Sequence, residues 1–171
     1  ARMSPEYTRA HYSLGILMQA GGRHQEAIDR FSTALKYDPG YIQARVGLAE
    51  VLRRGGRLHE SLSEYERVLR MDPSLSDARF GYAMTLVRLR RYQEARDRLI
   101  EGMKAFPDQS LFPHALARLL AAAPDDQVRD GQRAMVLVKK LTKEQQSVEL
   151  GETLAMTLAE LGQYEQAAAV Q

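Results

Sequence analysis

The chain has 171 residues, of which 44% are hydrophobic and 27% charged, so it can bury a core and lacks the composition of a disordered segment. It has no cysteine, which excludes disulfides, thiol chemistry and thiolate metal ligands without separating cytoplasm from periplasm. A formal net charge of +2 gives no general pull toward nucleic acid or anionic lipid, and the longest apolar runs fall far short of the roughly 18 residues of a membrane span, so no membrane insertion is expected.

No signal peptide is visible, and the chain opens with Ala1-Arg2, which reads as an excised piece of a longer protein. Residues 1–7 carry Pro5 and Tyr7, which return 34 residues later as Pro39 and Tyr41, and are taken as the tail of an earlier repeat. Residues 8–41 make the first full repeat. A helix over about 8–20 carries His11, Leu14, Gly15 and Met18 on one stripe, and Gly21-Gly22 stops it because glycine enters the left-handed region without steric cost. A second helix over about 24–37 sets Ala27, Ile28, Phe31, Ala34 and Leu35 on one face. Asp38-Pro39 ends it, since the residue before proline is pushed out of helical geometry.

Residues 42–75 repeat this plan with Leu48, Ala49, Leu52, Ser61, Tyr65, Val68 and Pro73. Residues 76–109 do so with Tyr82, Ala83, Leu86, Ala95, Leu99, Gly102 and Pro107, except that Leu89-Arg90 stands where the double glycine should be. From residue 110 the period loosens. Leu111–Ala123 matches a first helix, Pro124-Asp125-Asp126 interrupts, and a second helix resumes near Gln132 and runs to about Leu141. Ala95 and Ala134 are 39 residues apart, so about five residues are inserted in this fourth repeat, 110–147. Residues 148–171 recover the pattern with Leu154, Ala155, Leu158, Gly162 and Ala167, and the sequence stops inside that repeat's second helix.

Position by position, His11, Leu14, Gly15, Met18, Ala27, Phe31, Ala34 and Pro39 resemble the tetratricopeptide repeat, with His11 and Met18 at its two aromatic places in the first helix. The resemblance covers nearly the whole chain and is most specific over residues 8–109. It implies an all-α fold: a right-handed superhelix of about four and a half stacked antiparallel helix pairs forming one domain over 1–171, with first helices lining a concave groove. The degenerate fourth repeat with its acidic loop resembles variants found in bacterial repeat proteins.

No constellation points to catalysis, a cofactor or a metal. His11, His24, His59 and His114 are never spaced i, i+4 and sit beside no acidic cluster. The loop Pro124–Gly131 lacks the alternating ligands and terminal Glu of a calcium loop, and Asp130 reads as a helix-start residue. The paired glycines end helices and so form no phosphate cradle, and nothing is spaced as a nucleophile with its base.

Arg53-Arg54 with Arg57, and Arg88 with Arg90-Arg91, cluster at the ends of successive first helices. Such cations either complement the helix dipole or form a basic edge for an acidic ligand. Register places Arg9, Tyr12, Ser13, Ile16 and Gln19 in the groove from the first repeat, and Gln43, Val46, Gly47, Glu50 and Arg53 from the second. The third supplies Asp77, Phe80, Gly81, Met84 and Arg88, and the fourth His114 and Arg118. Gly47 and Gly81 are expected to leave room for a guest backbone. For Val46 and Phe80, packing into the next repeat competes with ligand contact. The family's carboxylate clamp for chaperone tails is absent, because its places hold Tyr12, Ile16, Gly47, Asp77 and Gly81.

The expected function is a non-enzymatic scaffold that holds a protein or peptide partner in this groove, anchored by Tyr12, Phe80 and Met84. Arg53 and Arg88 would meet acidic groups; nucleic acid is not expected, since no base-reading code recurs. The alternatives are self-association through the repeat ends, or a regulatory arm of a larger protein, such as one carrying a glycosyltransferase or a kinase.

Overall fold

The computed structural model describes residues 5–144 and 148–170. The expectations for residues 1–4, for 145–147 and for Gln171 lie outside the described residues. Within them are ten helices and no strand: α1 (Pro5–Ala20), α2 (His24–Tyr37), α3 (Ile42–Arg54), α4 (Leu58–Met71), α5 (Ser76–Arg88), α6 (Tyr92–Ala105), α7 (Leu111–Ala122), α8 (Gly131–Glu144), α9 (Val148–Glu160) and α10 (Tyr164–Val170). They form two compact units, Ala1–Leu89 and Arg90–Gln171.

In the first unit α1 pairs with α2 and α3 with α4, α2 leans on α3 and α4 on α5, and α1, α3 and α5 lie side by side. The turns inside the pairs follow from glycine. Gly22 (φ 70°) and Gly56 (φ 82°) take the left-handed conformation. The following N–H groups of Arg23 and Arg57 reach back to the carbonyls of Met18 and Leu52 at 2.9 Å, closing each first helix. Between pairs, Asp38 and Asp72 leave helical geometry ahead of proline. Their carboxylates then accept the N–H of Gly40 and of Ser74 at 2.9 Å. Arg45 and Arg79 lock the same turns by donating to the carbonyls of Pro39 and Pro73 at 2.8 Å. α1 differs from the expected 8–20 by being helical from Pro5, a residue tolerated in a first turn because it needs no N–H there. Pro5 is therefore not the turn proline that Pro39 and Pro73 are.

Packing in this unit rests on rings set against glycine. Phe31 is fully buried, and a Cβ on Gly15 or on Gly47 would come within 2.5 or 2.7 Å of its ring. Tyr65, 2% exposed, covers Gly81 in the same way, so that a Cβ there would overlap its ring. Gly47 and Gly81 therefore leave no room for a guest backbone: the preceding repeat's ring fills that space. Around Phe31 the core gathers Ala27, Ile28, Ala34, Ala44, Leu48 and Val51.

In the second unit α7 packs on α6, α8 and α9, α8 also on α9, and α9 on α10. Phe112 lies over Gly102 and stacks on Phe106 with ring centroids 5.8 Å apart. The inserted loop is tied down: the N–H of Asp130 donates to the Leu120 carbonyl at 2.8 Å, and Val128 is buried. Asp130 accepts the N–H of Arg133 at 2.9 Å, as a helix-start residue should.

Candidate functional site

Among the described residues no helix is long and apolar enough to cross a membrane, and no group of three metal-ligating side chains gathers. The informative surface lies on α1, α3 and α5. The 34-residue step stacks the predicted residues into columns: Arg9, Gln43 and Asp77 are exposed; Tyr12, Val46 and Phe80 are half-buried; Ile16 is 41% exposed, with Glu50 and Met84 half-buried at its step.

These side chains divide by what they touch. Tyr12 is partly core, its ring centroid 6.0 Å from that of Phe31 and 5.2 Å from that of Tyr41. Val46 packs against the cluster of Ala49, Tyr65, Val68 and Ala78. Phe80 and Met84 each keep part of their surface open.

Arg53 and Glu50 are committed to each other. The Arg53 guanidinium donates twice to the Glu50 carboxylate, at 3.0 and 2.7 Å, Arg54 adds a bond at 2.6 Å, and the Tyr65 hydroxyl donates at 3.0 Å. Burial works against the charge on Glu50, but the hydrogen bonds from Arg53 and Arg54 outweigh it and hold the carboxyl below its usual range. Burial and the adjacent Glu50 charge push the Tyr65 hydroxyl far up, so it stays a neutral donor. Arg88, exposed, donates to the Arg53 carbonyl.

Two further arginines of the expected basic edge are spent locally, while Arg90 is exposed. Arg57 and Arg91 are N-cap residues of second helices, not C-terminal residues of first helices, and each makes a two-pronged pair with the glutamate three residues on. Arg57 meets Glu60 at 2.7 Å through both nitrogens, and Arg91 meets Glu94 at 2.6 Å.

His114 and Arg118 stand on α7 in the other unit. Arg118 is exposed. His114 is held by Thr153 of α9, with Nε2 and Oγ1 2.9 Å apart. The first unit thus gathers Arg9 through Arg88 on one set of adjacent helices, while His114 belongs to the packing of α7 on α9.

Two family models, both described as tetratricopeptide repeat, match residues 12–76 and 52–122. No curated protein sequence matches the chain. Among solved structures, it is similar to TTC0263, a thermophilic tetratricopeptide repeat protein in Thermus thermophilus, with 18% identity over 95% of this chain and 87% of that one and a TM-score of 0.76. MamA 41-end from Desulfovibrio magneticus gives 15% identity, 98% and 92% coverage and a TM-score of 0.79. YrrB, described as having an unusual peptide-binding site, gives 16% identity, 94% and 80% coverage and a TM-score of 0.69.

Proposed function

The chain belongs to the tetratricopeptide repeat family, and we propose that it is a non-catalytic interaction scaffold whose α1–α3–α5 face holds an extended or helical segment of a partner protein. The observation that carries this is the apolar column Tyr12–Val46–Phe80, with Ile16 and Met84 to either side of Glu50 in the next column, left partly open on three adjacent helices. Partly exposed apolar surface edged by polar groups is what a docked segment covers. Because Arg53 is neutralised by Glu50, the polar edge is carried by Arg9, Gln43, Asp77 and Arg88. A peptide-binding site in the similar YrrB supports the same class of use.

A second reading has its own observation. Leu17 on the outer side of α1 is 62% exposed, whereas Val51 and Thr85, at the same register position, are fully buried. That bare stripe would suit self-association. One experiment separates the two. Affinity capture with the 171-residue chain is compared with an Ile16→Asp/Met84→Asp variant and with Leu17→Arg, each first checked for an unchanged melting curve. Loss of captured species in the double variant alone supports the groove. Capture unaffected by it overturns the groove, and concentration-dependent light scattering abolished by Leu17→Arg supports the second reading.

A further inference from the structure

We propose that the exposed face of α8, together with the part-apolar pocket beside it, is a second binding site, and that its ligand is an acidic peptide segment carrying one large apolar side chain. The pocket is about 560 Å³, within the range of real ligand pockets. Its apolar walls come from Met103 and Phe106 at the end of α6, Pro113 in the first turn of α7, and Leu137 and Leu141 of α8. Lys140 and Asp108 add one charge of each sign to the lining, and both are exposed.

The cations begin where the pocket wall ends. Taking about 100° per residue, Leu137 and Leu141 face the pocket, Arg133 and Lys140 come next around the helix, and Val136, Lys143 and Lys139 follow. All five of these outer residues are exposed, Val136 by 69%. None of the four cations has an ion pair with a side chain that the structure describes. Cations without such an ion pair also stand on other helices, Arg30, Arg70 and Arg118 among them; α8 differs in carrying four on one face beside a pocket, whereas the arginines clustered at Glu50, Glu60 and Glu94 are paired. Asp130 stands three residues before Arg133, and its carboxylate already accepts the Arg133 N–H; the side chain of Glu144, four residues after Lys140, lies outside the described ones.

Like charges three or four apart on a helix cost about 0.2–0.5 kcal/mol per pair. The helix dipole favours Lys143 in the last turn, but it opposes Arg133 in the first, so it does not explain the set. An acidic ligand does. Its carboxylates would face Arg133, Lys140 and Lys143, and its apolar side chain would enter between Leu137 and Phe106. On the Asp108 side it would present a hydroxyl or N–H. A pocket of this volume with apolar walls at Phe106, Leu137 and Leu141 and polar groups at its edge takes a single side chain, which favours a peptide over a lipid surface or a nucleic-acid backbone.

The test uses the whole chain and a labelled peptide, Glu-Glu-Leu-Phe-Glu-Glu, followed by NMR shifts and fluorescence anisotropy. Saturable shifts on α8 and the pocket walls are expected. Affinity should fall about tenfold or more in Lys140→Glu/Lys143→Glu, and similarly when the peptide's Phe becomes Ala. Both lysines are exposed, so that variant should keep its fold, and Ile16→Asp/Met84→Asp should leave this binding unchanged. The proposal is overturned by no saturable shift up to about 1 mM peptide. It is equally overturned if the Ala peptide, hexaglutamate, phosphatidylserine vesicles or single-stranded RNA bind as tightly as the Phe peptide.

Discussion

The two units obey one register but close it with different chemistry. In residues 5–89 the sixth position of the repeat is Gly47 and then Gly81, each buried beneath an aromatic ring of the preceding pair. In residues 90–170 the last repeat has Thr153 at that position. There its hydroxyl meets the imidazole of His114 of α7 at 2.9 Å, and α7 and α9 pack directly. In the sequence, His114 stands one further step of 34 after Phe80. A repeat position is therefore a demand for a fitted pair, a large group against a gap or a donor against an acceptor. It is not a demand for one residue type.

The sharpest way to break the comparison is to empty the ring socket. Phe31→Ala removes a fully buried ring that fills the space against both Gly15 and Gly47, and should cost about 3–5 kcal/mol in urea unfolding. Hydrogen exchange should rise across α1, α2 and α3. A loss below about 1 kcal/mol would show that the glycines do not act as a socket. On the other side, Thr153→Val keeps the volume and deletes the hydrogen bond, leaving His114 without that partner. The expected cost is about 1–2 kcal/mol, and its absence would reduce the α7–α9 contact to apolar packing alone.

A smaller difference concerns charge. Glu50 collects Arg53, Arg54 and Tyr65, and its carboxyl titrates below the ordinary range. A lowered folded value contributes stability above the unfolded carboxylate pKa of about 4.3, and loses it as pH falls through the lower folded value. Glu50→Gln should therefore flatten the acid limb of the stability curve below about pH 5 by about 1 kcal/mol or less, since the site is part-exposed. Denaturation midpoints at about pH 7 and about pH 3 measure it; an unchanged acid slope would place the acid sensitivity elsewhere.

Why some of this was legible in the sequence is physical. Gly22, Gly56 and the Asp-Pro pairs act on their own backbone, so the helix boundaries of the first unit follow from local rules. Phe31 and Tyr65 were visible as core residues, but their sockets were not: Gly47 and Gly81 looked like open ground because the ring that fills each comes from 16 residues earlier on another helix. The arginines misled for the opposite reason. Glu60 and Glu94 stand three residues after Arg57 and Arg91, and Glu50 three before Arg53, so their neutralisation was written at helical spacing. Along α8 acids stand at such spacings only at the two ends, Asp130 before Arg133 and Glu144 after Lys140, and none flanks Lys139. That signal was masked because the insertion of about five residues moves α8 out of the 34-residue step, so its cations align with no column of the earlier repeats.

The smallest effect tests the register itself. Gly22, Gly56 and Gly162 hold φ between 70° and 82°, and Arg90, 34 residues after Gly56, holds φ 60° as the one non-glycine residue with positive φ among the described residues. An L side chain in that region carries a cost of about 1–2 kcal/mol that glycine does not, while glycine gives more freedom to the unfolded chain. The balance favours Arg90→Gly by about 0.5–1 kcal/mol, seen as a higher denaturant midpoint with an unchanged slope. Arg90→Ala separates the backbone from the side chain. It keeps the left-handed strain and should be no more stable than the parent. If Arg90→Ala stabilised as much as Arg90→Gly, the gain would come from removing the guanidinium, and the turn would not be a glycine position occupied by arginine.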